Sequence, residues 1–332
     1  MEIFLNILFL VLGLIFLVFG ADFFVSGASA IAKKLKVPSI VIGLTIVAIG
    51  TSLPELAVGI SGAISGNTDV AIGNVVGSNI SNIFFILGMV AIIFPITFKR
   101  SNKKFDLPFL AIVTGALLVF CCDTIFDDFD SNIISRVESI FLLLMFVFYI
   151  TFNIKNTRKT KYNIDFSDNL VNNEVLHEKE LKVWQIVLYV VLGLAAVVFG
   201  GECVSRTSQF IASKAGMSDT LIGLTIVAVG TSLPELATSI AAARKHETDI
   251  AVGNVLGSNI LNIILIIGSI GIIRPIVVST NLIIELCILF VLTTFFSILA
   301  IFKKKLSRRE GIIFVVIYIL YIATAIIKNY CF

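Results

Sequence analysis

The chain has 332 residues, of which 58% are hydrophobic and only 14% charged, with a net charge of +3 and a mean hydropathy of +1.03. Soluble domains carry about one quarter charged residues, so this composition excludes a soluble fold and indicates a polytopic helical membrane protein, with the lipid bilayer and not nucleic acid as its medium. Continuous apolar runs also exclude a β-barrel, whose strands alternate over ~10 residues, and the five cysteines lack metal-like CxxC spacing and read as free thiols.

In chain order, apolar segments long enough for ~20 residues of hydrocarbon number ten: 3–21 (continuing obliquely toward Ala32), 38–62, 70–95, 106–122, 134–154, 184–202, 218–242, 250–273, 281–302 and 311–328. No basic stretch precedes Ile3, so the first segment reads as a span and not a cleaved signal. The fold class expected is all-α, with residues 1–154 and 184–332 as two five-helix halves. Residues 155–183 form a polar, Asn-rich connector with too little apolar content to fold as a domain. With both termini outside, the cytoplasmic loops hold 20 of the 25 Lys and Arg, which satisfies the positive-inside rule and makes the connector cytoplasmic in a cell-membrane protein. His177 and the acidic run Asp123, Asp127, Asp128 and Asp130 read as solvated loop residues.

The second segment carries Gly43–Ala57, GLTIVAIGTSLPELA, which returns 180 residues later as Gly223–Ala237 with one change, Ile49 against Val229. The third carries Gly73–Ile83, GNVVGSNISNI, which returns as Gly253–Ile263 with two changes. The same offset relates Gly13 to Gly193, Gly20 to Gly200, Asp69 to Asp249 and Pro95 to Pro275. Five spans per half forces the second copy to enter the membrane from the opposite side. That is an inverted-topology repeat, the architecture of many secondary transporters, whose sites lie near the midplane.

Pro54 and Pro234 lack an amide hydrogen and crowd the carbonyls of Gly50 and Gly230, so each helix is expected to open over about Ala48–Ser52 and its counterpart, and to resume after the proline. Ser52-Leu53-Pro54-Glu55 reads as an S-x-x-E capping pattern for the resumed half. Irregular backbone at membrane depth is tolerated only where protein buries it or it lines a wet cavity. A carboxylate there costs about 2.5–3.5 kcal/mol on insertion scales, so Glu55 and Glu235 read as functional. Asn74, Ser78 and Asn82 fall at i, i+4 and i+8 on one helical face, as do Asn254, Ser258 and Asn262. For Asn74 and Asn254, interhelical hydrogen bonding explains the residue as well as ligation does. The pooled donors are carboxylates, hydroxyls, amides and carbonyls with no histidine or cysteine, a hard-cation set suited to Ca²⁺ and equally to Na⁺. Asp22 and Glu202, another pair at offset 180, read either as lining an ion pathway or as structural acids.

These paired G-T-S-L-P-E and G-S-N-x-x-N segments resemble the two α-repeats of the sodium/calcium exchanger family, within the cation/calcium antiporters, in its prokaryotic form. The resemblance spans essentially the whole chain. It implies that Glu55 and Glu235 are the central carboxylates and that Thr51, Ser52, Ser78, Thr231, Ser232 and Ser258 add oxygens. It also implies main-chain carbonyls near Ala48 and Ala228 as ligands, with Asn82 and Asn262 in the remaining positions. Such exchangers move Na⁺ inward and Ca²⁺ outward by alternating access, the first and sixth spans sliding across a fixed core. Some members carry Asp at the position of Asn262; the amide here argues against K⁺ co-transport. The connector is too short for the large calcium-sensing domains of animal exchangers. A H⁺-coupled Ca²⁺ or cation antiporter is the alternative. A passive channel is disfavoured by the inverted repeat, and an intramembrane enzyme by the absence of HExxH or GxSxG motifs. No cofactor and no obligate protein partner is implied.

Overall fold

Nearly every apolar segment forms a helix in the computed structural model, which describes residues 2–66, 68–122, 132–168, 181–214, 216, 228–303 and 305–331. The acidic run after Asp123, His177 with most of the connector, and residues 217–227 lie outside the described residues, as do the side chains of Asp69 and Ala228. The first helix, α1 (Glu2–Leu35), is a single 34-residue rod, so the oblique continuation past the first span is real. Next come α2 (Ser39–Thr51) and α3 (Leu53–Ser65), bent by 45° at their junction. The rod α4 covers residues 68–93, and α5 (Leu107–Phe120) and α6 (Arg136–Asp168) follow. After the connector, α7 (Val183–Lys214), α8 (Ala228–Thr231) and α9 (Leu233–Arg244) lead into α10 (Thr248–Ile273). The chain ends in α11 (Thr280–Phe302) and α12 (Arg308–Cys331). Six described helices are long and apolar enough to cross a membrane, and α2–α3 makes a seventh as one broken span.

Several details depart from the sequence reading. α6 runs on to Asp168, well past the expected end at 154, because no Pro or Gly interrupts it beyond the apolar stretch. Among the described residues π-helical turns occupy Gly43–Val47, Ser81–Ile86, Asn102–Asp106 and Asn262–Ile267, and those at Ser81 and Asn262 stand in matching places in α4 and α10. Such turns open the hydrogen-bond ladder and recur at functional sites.

The architecture is not purely helical either. Strand β1 (Ile96–Thr97) pairs antiparallel with β4 (Lys305–Leu306), and β2 (Asn132–Ile134) with β3 (Ile276–Val278). Each ladder ties a connector of one half to a connector of the other. The helices that follow β2 and β4 open with related caps: Ser135 and Glu138 cap each other before α6, and before α12 the Glu310 carboxylate accepts from the Ser307 amide and hydroxyl. Arg136 then donates to the Ile272 carbonyl at the end of α10 (3.3 Å), and Arg308 to the Ile93 carbonyl at the end of α4 (3.4 Å). The two crossings are built alike.

Burial sorts the helices. Within their spanning windows α4 and α10 are 72% and 78% buried, whereas α1 and α7 are 28% and 22% buried. α4 and α10 therefore form the centre, and α1 and α7 lie outside it as an antiparallel pair. Glycines set that pair's spacing: a Cβ on Gly200 would stand 2.7 Å from the Gly13 carbonyl, and one on Gly193 2.5 Å from the Phe24 amide. The two backbones touch, which small residues permit between helices in a membrane.

Candidate functional site

The site forms where the breaks of two helical pairs meet α4 and α10. Ser52, with φ −85° and ψ 9°, is the single non-helical residue between α2 and α3, and Ser232, at φ −87° and ψ 4°, is its twin between α8 and α9. Both new helices start one residue before the proline, which occupies the first turn where no amide hydrogen is needed. The break is thus narrower than expected. Ser52 N–H still reaches the Ala48 carbonyl at 3.1 Å, so that carbonyl is not freed. In the second copy the Ser232 N–H bonds Val229 O instead, also at 3.1 Å.

The expected S-x-x-E cap is absent at both breaks, since neither serine side chain caps its helix. A stronger acceptor lies across the interface. Ser52 Oγ donates to Glu235 Oε1 at 3.0 Å, and Ser258 Oγ donates to the same oxygen at 3.4 Å. Glu55 and Glu235 are each 1% exposed and lie within direct electrostatic range of one another. Both occupy the first turn of a helix, where the macrodipole favours negative charge.

The hydroxyl and amide residues complete the cluster unevenly. Asn262 Nδ2 donates to Ser78 Oγ and to Asn79 Oδ1, each at 3.0 Å. Thr51 Oγ1 donates to Asn254 Oδ1 at 3.0 Å, and Thr231 Oγ1 to Asn74 Oδ1 at 3.1 Å. What remains is a set of buried oxygens with no partner from another residue: both of Glu55, Oε2 of Glu235, Oδ1 of Asn82 and of Asn262, and Oγ of Ser232. Burying such atoms without partners costs several kcal/mol each unless a ligand satisfies them. Among the described residues no group of three or more His, Cys, Asp and Glu is placed to hold a metal ion.

Gly50 and Gly230 serve close packing. A Cβ on Gly230 would lie 2.4 Å from Ser205 Oγ on α7, and one on Gly50 would lie 3.1 Å from the Leu194 methyls. α7 thus rests against both breaks.

The acids at offset 180 are not equivalent. Glu202 pairs with Arg206 on its own helix and lines a cavity of about 730 Å³, together with Pro54 and Ser61 of the α2–α3 pair and with Thr231 and Pro234. Asp22 lies on the opposite side, where α1 packs along α9. Lys245, in the turn after α9, donates to the Asp22 carbonyl (2.6 Å) and to Ser26 Oγ (2.7 Å), with its Nζ 3.6 Å from Asp22 Oδ1. Ser29 donates to Glu247 beside it. These contacts form a latch between α1 and the core. Sequence reasoning passed over Lys245 and Glu247 because only the fold shows what a charged turn touches.

The sequence profile described as "Sodium/calcium exchanger protein" matches residues 5–155 and 185–327. The chain is 34% identical to the sodium/calcium exchanger MaX1 of Methanosarcina acetivorans over 348 aligned residues, covering 96% of this chain and 97% of that one. It is likewise 34% identical to the inner membrane protein YrbG of Escherichia coli, over 74% of this chain and 73% of that one. Among solved structures it is similar to the sodium-calcium exchanger NCX_Mj, with a TM-score of 0.81 and 32% identity, covering 97% of this chain and 99% of the other.

Proposed function

The chain belongs to the sodium/calcium exchanger family, and we propose that it exchanges Na⁺ for Ca²⁺ across the membrane by presenting one oxygen-lined site to its two sides in turn. The observation that carries this reading is the set of buried, unpartnered oxygens around Glu55 and Glu235. Two carboxylates balance the charge of one Ca²⁺, and the hydroxyl and amide oxygens of Thr51, Ser52, Ser78, Asn82 and their counterparts suit its 6–8-fold, flexible shell. Na⁺ uses the same kind of donor. Ions that compete for one set of oxygens cannot cross together, and that competition is the basis of antiport.

Ten spans in two inverted halves, with 155–183 cytoplasmic and both termini outside, supply the symmetry that alternating access needs. In this orientation the cavity beside Glu202 opens to the outside, and the latch of Lys245 on α1 closes the cytoplasmic side. The described state is then outward-facing. Conversion to the inward state requires the α1–α7 pair to slide, so that α7 covers α3 as α1 now covers α9. The glycine seam between the pair lets both helices move as one body.

The test is Ca²⁺ uptake into vesicles containing the full chain. An opposing Na⁺ gradient is expected to drive uptake, and collapsing it to stop uptake. Uptake that follows a pH gradient and ignores Na⁺ would refute the proposal.

A further inference from the structure

Asn74 and Asn254 open the two G-N-V motifs, and each faces a threonine that the exchanger reading makes a ligand. Asn254 is fully buried and held at both ends of its amide. Its Nδ2 lies 3.0 Å from Thr238 Oγ1, 3.0 Å from Ser239 Oγ and 3.4 Å from the Glu235 carbonyl. Thr238 sends its own proton to the Pro234 carbonyl at 2.7 Å, so its oxygen accepts from the amide nitrogen. A main-chain carbonyl can only accept. These partners fix which end of the amide is nitrogen, so the oxygen end faces Thr51 at 3.0 Å. The Val47 carbonyl, 3.1 Å away, is a second acceptor for the single Thr51 proton, but two oxygens facing each other at 3.0 Å need that proton between them, which directs it to Asn254.

A threonine hydroxyl binds a cation through its oxygen lone pairs, which are available only when the proton points elsewhere. We infer that Asn254 is a positioning residue for transport: it takes the Thr51 proton, turns that oxygen's lone pairs toward the cation, and ties the α2–α3 break to the first turns of α9. This inference rests on Thr51 being a ligand in the exchanger reading above.

The other half lacks the same support. Asn74 accepts from Thr231 in the mirrored way, but its buried Nδ2 has no partner. The counterparts of Thr238 and Ser239 are Val58 and Gly59, which offer no side-chain acceptor. Gly59 has no room for one, since a Cβ there would come 2.6 Å from Ile270 Cδ1. The amide beside Thr51 is held at both ends, whereas the Asn74 amide beside Thr231 is held at its oxygen end only.

The test uses Na⁺-driven Ca²⁺ uptake by the full chain in proteoliposomes, reading the Ca²⁺ KM and the maximal rate separately. Asn254→Leu is expected to raise KM about tenfold, the size of one well-made hydrogen bond, and Asn74→Leu to raise it less. Because Asn254 acts through Thr51, the double variant Thr51→Val/Asn254→Leu should match Thr51→Val alone to within about twofold. Multiplying effects, or an Asn74→Leu defect as large as that of Asn254→Leu, would overturn the inference. Should Asn254→Leu fail to fold, Thr238→Val leaves the Asn254 oxygen in place and removes the acceptor that orients the amide. A rise of about threefold in KM at unchanged maximal rate is then expected, and an unchanged KM counts against the inference. In the unsubstituted chain, uptake indifferent to Na⁺ counts against the exchanger reading itself, whereas Na⁺-driven uptake with multiplying variants counts against Asn254 alone.

Discussion

Replacing Lys245 by methionine keeps most of the apolar stem and removes the charge that holds α1 to the core. In the described state the ammonium makes two hydrogen bonds, of 2.6 and 2.7 Å, and a 3.6 Å ion pair. Charge-assisted bonds reach about 1.5–3 kcal/mol when buried. Here the Lys245 side chain is 32% exposed and that of Asp22 48%, so solvent screening reduces the sum to about 1–2 kcal/mol. The latch exists only while α1 covers α9. Its loss therefore moves the balance toward the inward-facing state by about 5- to 30-fold. Apparent affinity follows the fraction of competent protein, so the Ca²⁺ affinity measured from the cytoplasmic face should rise by that factor. The assay is Ca²⁺ flux in vesicles of known orientation, with affinity determined from each side. Lys99→Met is the control: it breaks the pair between Lys99 and Asp249, which joins the loop before α5 to the start of α10 and does not involve α1. Cytoplasmic affinity within twofold of the unsubstituted chain, or an equal shift in Lys99→Met, would refute the latch.

Glu55→Gln and Glu235→Gln should each reduce Ca²⁺ flux by about 100-fold or more while leaving insertion and monodispersity intact, since each removes half the charge facing the ion. Normal flux in either variant would exclude that carboxylate as a ligand. Gly200→Leu places a side chain where a Cβ alone meets backbone at 2.7 Å; the expected cost is about 1–3 kcal/mol or more, seen as a lower melting temperature in detergent together with slowed exchange. Tyr149→Phe removes the hydroxyl that donates to buried Asp106 at 3.4 Å, leaving Asn102 as that carboxylate's remaining donor. Stability should fall by about 1 kcal/mol, with the Ca²⁺ KM unchanged because Asp106, Asn102 and Tyr149 share no hydrogen bond with the proposed ligands.

The residues that the fold gathers around Glu55 and Glu235 stand out in residue order because each motif is local. Pro54, Glu55 and the Asn/Ser face of the third segment each act within a turn or two, and their repetition at offset 180 marks them as paired. Where the reading failed, a distant group had won. Ser52 has the spacing of a helix cap, yet Glu235, 183 positions away, takes its proton. The capping box at Ser135 and the Glu310 cap at Ser307 share the same S-x-x-E spacing, which the chain spells out, yet here the spacing does form the cap. The difference between Asn254 and Asn74 was also written in the chain, as Thr238-Ser239 against Val58-Gly59, but its meaning depends on which helix each faces. The strands escaped because two or three residues of ladder carry no periodicity of their own.

Those short ladders bear on how the protein is made. β1 leaves the ribosome early, but its partner β4 is Lys305–Leu306, and β2 likewise waits for β3 at Ile276–Val278. Helices α1–α6 therefore cannot finish packing until both partner segments have been made. Until then α4, with its buried amides and hydroxyls, lacks α12, which packs along its second part. An insertion chaperone that shields such a helix would meet this chain as an open half-shell. Two separately expressed halves, cut within the connector, should find each other through the same crossings.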